Sequence, residues 1–141
     1  MRTALKRLIV TLFLMMIIPD IPCLGLENSS PVISDLAVKP TRGGHGTKVK
    51  ITLKIKDPQG DKDIDSLLYQ VREGKEMIKI SLYNDGTHGD EKANDNIYTG
   101  EMIVPGTAAE RRHQFSVFIY DNEKNKSNIL TYEFIVTGKE I

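Results

Sequence analysis

Nine residues, Lys48-Val49-Lys50-Ile51-Thr52-Leu53-Lys54-Ile55-Lys56, restrict what this chain can become more than any other segment. Val49, Ile51, Leu53 and Ile55 alternate with four lysines and a threonine that share the opposite parity. Successive side chains of a strand point to opposite faces, so this spacing makes one dry face and one wet face. A helix, with 3.6 residues per turn, would scatter the same apolar residues around its surface. The outward lysines also discourage edge-to-edge association. A strand of this kind needs a second layer to cover its dry side.

Six other runs follow the same rule. Residues 32–38 lie between Pro31 and Pro40. Residues 66–72 put Leu67, Tyr69 and Val71 on one face. After Glu73-Gly74-Lys75, residues 76–83 set Ile78, Ile80 and Leu82 against Met77, Lys79 and Ser81. Residues 97–104 end at the turn signature Pro105-Gly106. Residues 114–120 carry Phe115, Val117 and Ile119 on one side, and residues 128–137 carry Leu130, Tyr132, Phe134 and Val136. Seven short alternating strands and no helical period predict an all-β, two-sheet antiparallel sandwich, with a small β-barrel as the alternative.

The first residues read as an export signal. Arg2, Lys6 and Arg7 precede an apolar run from Leu8 to Ile18, closed by Pro19-Asp20. A helix of that length rises about 16 Å, half of a hydrocarbon core about 30 Å thick. The expected division is a signal over residues 1–25, a polar leader over 26–31 and a β-sandwich over 32–138, with no membrane span after cleavage. Ile21-Pro22 precede Cys23 where a lipid-acceptor cysteine needs small residues, so a lipid anchor at Cys23 is disfavoured. With one cysteine in the chain, no internal disulfide can form, and the packed core must hold the domain. Of 19 basic and 19 acidic side chains, three basic and one acidic fall in the signal. The remainder is slightly acidic, which argues against nucleic-acid binding and against a polybasic membrane patch.

Three stretches carry a resemblance. Residues 31–36 followed by Asp57-Pro58-Gln59-Gly60-Asp61 resemble the opening of secreted prokaryotic immunoglobulin-like modules, which are similar in turn to fibronectin-III-like sandwiches. Residues 117–127 resemble the late strand of such modules with its Asp-x-x-x-Asn turn, here Asp121 and Asn125. The connection from Asn84 to Tyr98 resembles the motif Asp-Gly-x-x-Gly-Asp-x-x-Ala-x-Asp-x-x-Tyr of choice-of-anchor-type exported proteins, matched by Asp85, Gly86, Gly89, Asp90, Ala93, Asp95 and Tyr98. Where that motif often has glycines this chain has Asn94 and Asn96, and where it often has an aspartate this chain has Asn84. The resemblance implies a seven-stranded immunoglobulin-like sandwich that is non-catalytic and extracellular. It names no partner beyond a protein or surface component.

The candidate chemistry lies in acidic loops. Asp85, Asp90 and Asp95 offer hard oxygen ligands for Ca²⁺. The competing reading is that they cap their own loop, with Asp85-Gly86 in a tight turn, Asp90 capping a turn through Ala93, and Ala93 and Tyr98 tucked under the sandwich. Asp57, Asp61, Asp63 and Asp65 form a second acidic loop, which Lys62 interrupts. His45, His88 and His113 share no metal spacing and are expected at the surface. No nucleophile elbow or Cys/His pairing is present, so no enzyme is expected. Asn28-Ser29-Ser30 and Asn125-Lys126-Ser127 match the glycosylation pattern. The expected function is a binding, adhesion or structural accessory module of the periplasm, envelope or extracellular space. The alternatives are a Ca²⁺-stabilised module using the 84–96 loop, or a carbohydrate-binding or hydrolase-associated domain.

Overall fold

A computed structural model describes residues 29–138; the expected signal with Cys23, and leader residues 26–28, lie outside the described residues. Eight strands form in chain order: β1 Val32–Lys39, β2 Arg42–Gly43, β3 Lys48–Lys56, β4 Leu67–Arg72, β5 Glu76–Ser81, β6 Ile97–Ile103, β7 Arg112–Phe118 and β8 Leu130–Val136. One sheet has the order β1-β3-β6 and the other β2-β8-β7-β4-β5. This is an all-β immunoglobulin-like sandwich. The element beyond the seven expected is β2, two residues that run parallel to the end of β8 and make that one pairing an exception to the antiparallel rule. Two residues are too few to show a period, which is why alternation does not reveal it.

The dry face of β3 forms the centre of the packing. Val49, Ile51, Leu53 and Ile55 are fully buried, and β3 pairs with β1 on one side and β6 on the other. The second sheet supplies Leu68, Ile80, Phe115, Val117, Phe134 and Val136 to the same core. Each such side chain contributes roughly 1.5–3 kcal/mol by leaving water. On β4 the inward parity belongs to Leu68 and Gln70, while Leu67, Tyr69 and Val71 face out. Gln70 is buried, and its side chain accepts a hydrogen bond from the Tyr132 hydroxyl and lies 3.5 Å from Met102 Sδ. Burial holds the Tyr132 phenol well above its usual range.

Between β5 and β6 the chain crosses from the five-stranded to the three-stranded sheet. β5 ends at Ser81, two residues short of the expected end, because Tyr83 instead pairs with Thr99 of β6 across two 2.9 Å bonds. Gly100 makes this crossing possible. A Cβ there would lie 2.8 Å from Ile80 Cγ2, 3.2 Å from Ser81 O and 3.3 Å from Leu82 Cδ2. The crossing predicts that Gly100→Ala destabilises the domain by about 1–3 kcal/mol through overpacking, measured by urea unfolding. An unchanged midpoint would show that the two sheets do not approach this closely.

Candidate functional site

The 84–96 connection folds back over the outer face of the three-stranded sheet. Gly89 sits where a Cβ would come within 2.9 Å of Glu101 Oε1, and Lys50 Nζ reaches Glu91 at 3.8 Å. The loop covers Thr99, which is only 1% exposed although it lies on the outward parity of β6. Its backbone needs left-handed residues at several points. His88, Asn94 and Asn96 adopt φ of 55°, 57° and 65°, alongside Gly86 and Gly89. Asparagine tolerates that region better than most side chains, which is why it can stand in for glycine at 94 and 96.

Each of the three motif aspartates holds backbone of its own loop. Asp85 Oδ1 accepts from the Thr87 amide at 3.0 Å and the Thr87 hydroxyl at 2.5 Å, and these bonds lower the Asp85 pKa. Asp90 Oδ2 accepts from the Gly86 amide at 2.8 Å, so Asp90 closes the turn before it rather than capping the turn after it. Asp95 Oδ1 accepts from the Ile97 amide at 2.9 Å, where β6 begins. Asn84 accepts from the Asp95 amide, and its side chain also bonds the buried Tyr98. Ala93 is exposed, unlike Tyr98. His88 stacks on Tyr83 with ring centroids 3.9 Å apart. Asp90, Glu91 and Asp95 line a cleft of about 290 Å³ that also carries Lys39 and Lys50.

Convergence of carboxylates occurs elsewhere. Among the described residues, Asp57, Asp63 and Asp121 place one oxygen each within 4.8 Å of the others. Asp57 follows β3, Asp63 ends the short 3₁₀ turn Asp61–Asp63, and Asp121 follows β7. Asp121 is completely buried and Asp57 nearly so. Asp57 Oδ1 accepts from the Gln59 amide at 2.8 Å. Asp121 Oδ1 accepts from the amides of Glu123 and Asn125, and its Oδ2 from the Asn125 side chain at 2.9 Å. That last bond engages the amide of the second glycosylation-type sequence. The remaining oxygens of Asp57 and Asp63, both Oδ2, are withdrawn from solvent. Further ties join the loops: the Asn122 side chain donates to Lys62 O, Asn122 N to Asp63 O, and Asp65 N to Tyr120 O. Of the second acidic loop, Asp57 and Asp63 therefore come together, whereas Asp65 turns to Lys124 at 3.8 Å.

Sequence reasoning about ligands passed over Asp121. A signal was nonetheless present. Asp57 continues the inward parity of Val49 to Ile55, and Asp121 continues that of Phe115 to Ile119. An acid at the next inward step of a core strand is an acid heading for a dry environment.

The histidines diverge from expectation at one position. His113 is 2% exposed rather than on the surface, because it takes the inward parity of β7. Its Nε2 lies 2.7 Å from Ala109 O and its Nδ1 3.8 Å from Glu73 Oε1. Arg111 donates to Glu73 from both terminal guanidinium nitrogens. That hydrogen bonding holds the Glu73 carboxyl near 2 against the opposing effect of desolvation, and the charges of Arg111, His113 and Arg72 add to it. His45 bonds Ala108 O at 2.8 Å.

The outer face of the five-stranded sheet carries the aromatic cluster that a sugar-binding surface would need. Tyr69 stacks on Phe118 at 5.5 Å, and Tyr120 meets both edge-on. Lys126 lies 4.0 Å over the Phe118 ring and Lys79 5.4 Å over Tyr69. Tyr69 and Phe118 are buried beneath these neighbours, so neither presents an open ring face.

No protein-family model matches the chain, and no curated protein does either. Solved structures do. The PKD domain of an M14-like peptidase from Thermoplasmatales archaeon SCGC AB-540-F20 is similar with a TM-score of 0.51 and 17% identity, over 79% of this chain and 99% of that one. The fibronectin(III)-like modules of Clostridium thermocellum CbhA give 0.47 at 23% identity, over 76% of this chain and 46% of theirs. The SrpA adhesin of Streptococcus sanguinis gives 0.49 at 14% identity, over 77% of this chain and 58% of its own. The chain thus spans about half the length of the latter two. The likeness to the PKD domain, at that identity, is one of fold.

Two outcomes check the geometry. Asp90→Ala removes the acceptor for Gly86 and should cost about 1–2 kcal/mol in urea unfolding; no loss would separate Asp90 from the loop's order. The Glu73 carboxyl, followed by NMR, should titrate near 2 and move up toward 4.5 in Arg111→Ala. Since folding depresses this pKa, the stabilisation it carries is present above the ordinary value and lost as pH falls through about 2. A midpoint already at the ordinary value in the unaltered chain would contradict the Arg111 contact.

Proposed function

We propose that this chain is a non-enzymatic, exported β-sandwich that serves as a binding, adhesion or structural accessory module in the envelope or extracellular space. The observation that carries the reading is the use made of the polar side chains. Asp85, Asp90, Asp95 and Asp121 all accept hydrogen bonds from nearby backbone, and Glu73 is clamped by Arg111. Groups committed to holding loops are poorly suited to general acid or base work, which needs a perturbed acid facing a cleft. Loops fixed on a rigid sandwich suit recognition instead. The apolar run at Leu8–Ile18 supports export. Cell fractionation with N-terminal sequencing tests this: the mature chain should begin near residue 26 and leave the cytoplasm. An intact N-terminus in the cytoplasm would overturn the reading.

A second reading is a Ca²⁺-stabilised module. The convergence of Asp57, Asp63 and Asp121 from three segments favours it, because a hard cation would relieve the repulsion among carboxylates in a dry setting. The site would hold Ca²⁺ through these three residues rather than through Asp85, Asp90 and Asp95. Ca²⁺ at millimolar concentration should then raise the melting temperature, chelator should reverse the rise, and Asp63→Asn should abolish it while Asp95→Asn does not. An unchanged melting curve removes this reading, and a response lost in Asp95→Asn instead moves the site to the long loop.

A further inference from the structure

The five-stranded sheet has an unfinished edge. β8 pairs with β7 along its whole length, but on its other side β2 covers it only at Ile135 and Val136. There Ile135 N bonds Thr41 O at 3.1 Å and Thr137 N bonds Gly43 O at 2.9 Å. Peptide groups alternate in direction along an antiparallel strand, so the N–H and C=O of Thr131 and Glu133 face the same edge. Among the described residues, no strand pairs with them there.

The gap has a structural cause. β1 begins beside β8, where the Asn128 side chain clips Ile33 N at 2.8 Å and Ile33 O at 2.9 Å. β1 then bulges between Ser34 and Ala37, with Asp35 in the left-handed region at φ 52°, and stays with the other sheet until Lys39. The chain reaches β8 again only at Thr41. Between the Asn128 clip and the β2 ladder lies an open groove of about 480 Å³.

The groove has an apolar floor. Leu36 and Val38 of β1 and Leu130 and Tyr132 of β8 pack on the core yet remain half-buried. Ile129, at the clipped end, is 53% exposed. Tyr132 is fixed by its bond to Gln70 and by stacking on Phe115 at 4.9 Å, so the floor is preformed. Asp35 and Glu133, both exposed acids, stand on opposite rims.

We propose that this groove receives an extended segment of a partner polypeptide, which adds to β8 as a strand. The unpaired peptide groups call for a backbone in β conformation, since only such a backbone matches donors and acceptors repeated along an edge. The stretch from Ile129 to Glu133 takes about five residues at roughly 3.3 Å each. Alternate side chains of the segment face the floor and are apolar. The acidic rims select a lysine or arginine among the outward ones. The inserted strand continues the ladder that β2 begins. The proposal names a partner class for the accessory module described above and rests on that reading. Its test is made in vitro and is independent of where the chain resides.

The test is selection of a displayed library of random nine-residue peptides on the mature chain. Enriched peptides are then made synthetically and their affinities measured by fluorescence anisotropy. Enrichment of alternating apolar residues with a basic neighbour is expected. Thr131→Pro deletes the edge N–H without touching the β7 pairing and should weaken binding about tenfold or more. Leu36→Glu, which spoils the floor from the other sheet, should do the same, so the result does not depend on one variant folding. Lys75→Glu, beside the far edge strand β5, should leave affinity unchanged. Bound peptide should also slow amide exchange at Thr131 and Glu133. A library that enriches nothing, or peptides that bind Thr131→Pro and Leu36→Glu as well as the unaltered chain, would overturn the proposal. Self-association that disappears in Thr131→Pro would also overturn it, assigning the groove to a second copy.

Discussion

Everything in this domain is arranged around the dry face of β3. Four side chains at one parity, Val49, Ile51, Leu53 and Ile55, are sealed from water. Sealing them requires a neighbour strand on each side and a second sheet above, which fixes the two-layer architecture. The parity does not stop with the strand. At the next inward step stands Asp57, and at the corresponding step of β7 stands Asp121. Core geometry thus carries two carboxylates into the end of the sandwich, where the Asp61–Asp63 turn brings a third.

Strand positions were readable because period two is a strong local signal, and the inward residues of β3, β7 and β8 match the alternation residue by residue. Other features depend on distant partners. The shift of Tyr83 from one sheet to the other depends on Thr99 and on space left by Gly100. The parallel pairing of β2 depends on β8. On β4, Tyr69 and Val71 look like core by composition, but Leu68 and Gln70 hold the inward parity. A tyrosine on the outer face is stable there because Phe118, Tyr120 and Lys79 cover it, with Lys126 in turn over Phe118. His113 was hidden for the related reason that a polar residue can occupy an inward step when a backbone carbonyl, here Ala109 O, bonds it.

The long loop shows the same division. Its turn chemistry was visible in Asp85-Gly86 and in the two asparagines, and the observed left-handed residues agree with it. What could not be read locally is where the loop lies. Its contact with Glu101 and Lys50 on the outer face of the three-stranded sheet arises from packing across the sheet. The acids of this loop act on its own backbone, while the convergent acids belong to the loops after β3 and β7. The polar residues at this end of the sandwich thus build a rigid frame. The open edge of β8, at the side, is where the backbone itself is left to recognise something.

That division between held loops and one open edge is read most directly by native-state amide hydrogen exchange. The account predicts the slowest exchange in β3 and β7, with Gly86, Thr87 and Ile97 protected by their aspartate acceptors. It predicts slow exchange at Ile135 and Thr137 and fast exchange at Thr131 and Glu133 within the same strand. Unprotected amides at Gly86, Thr87 and Ile97, or uniform protection along β8, would contradict it.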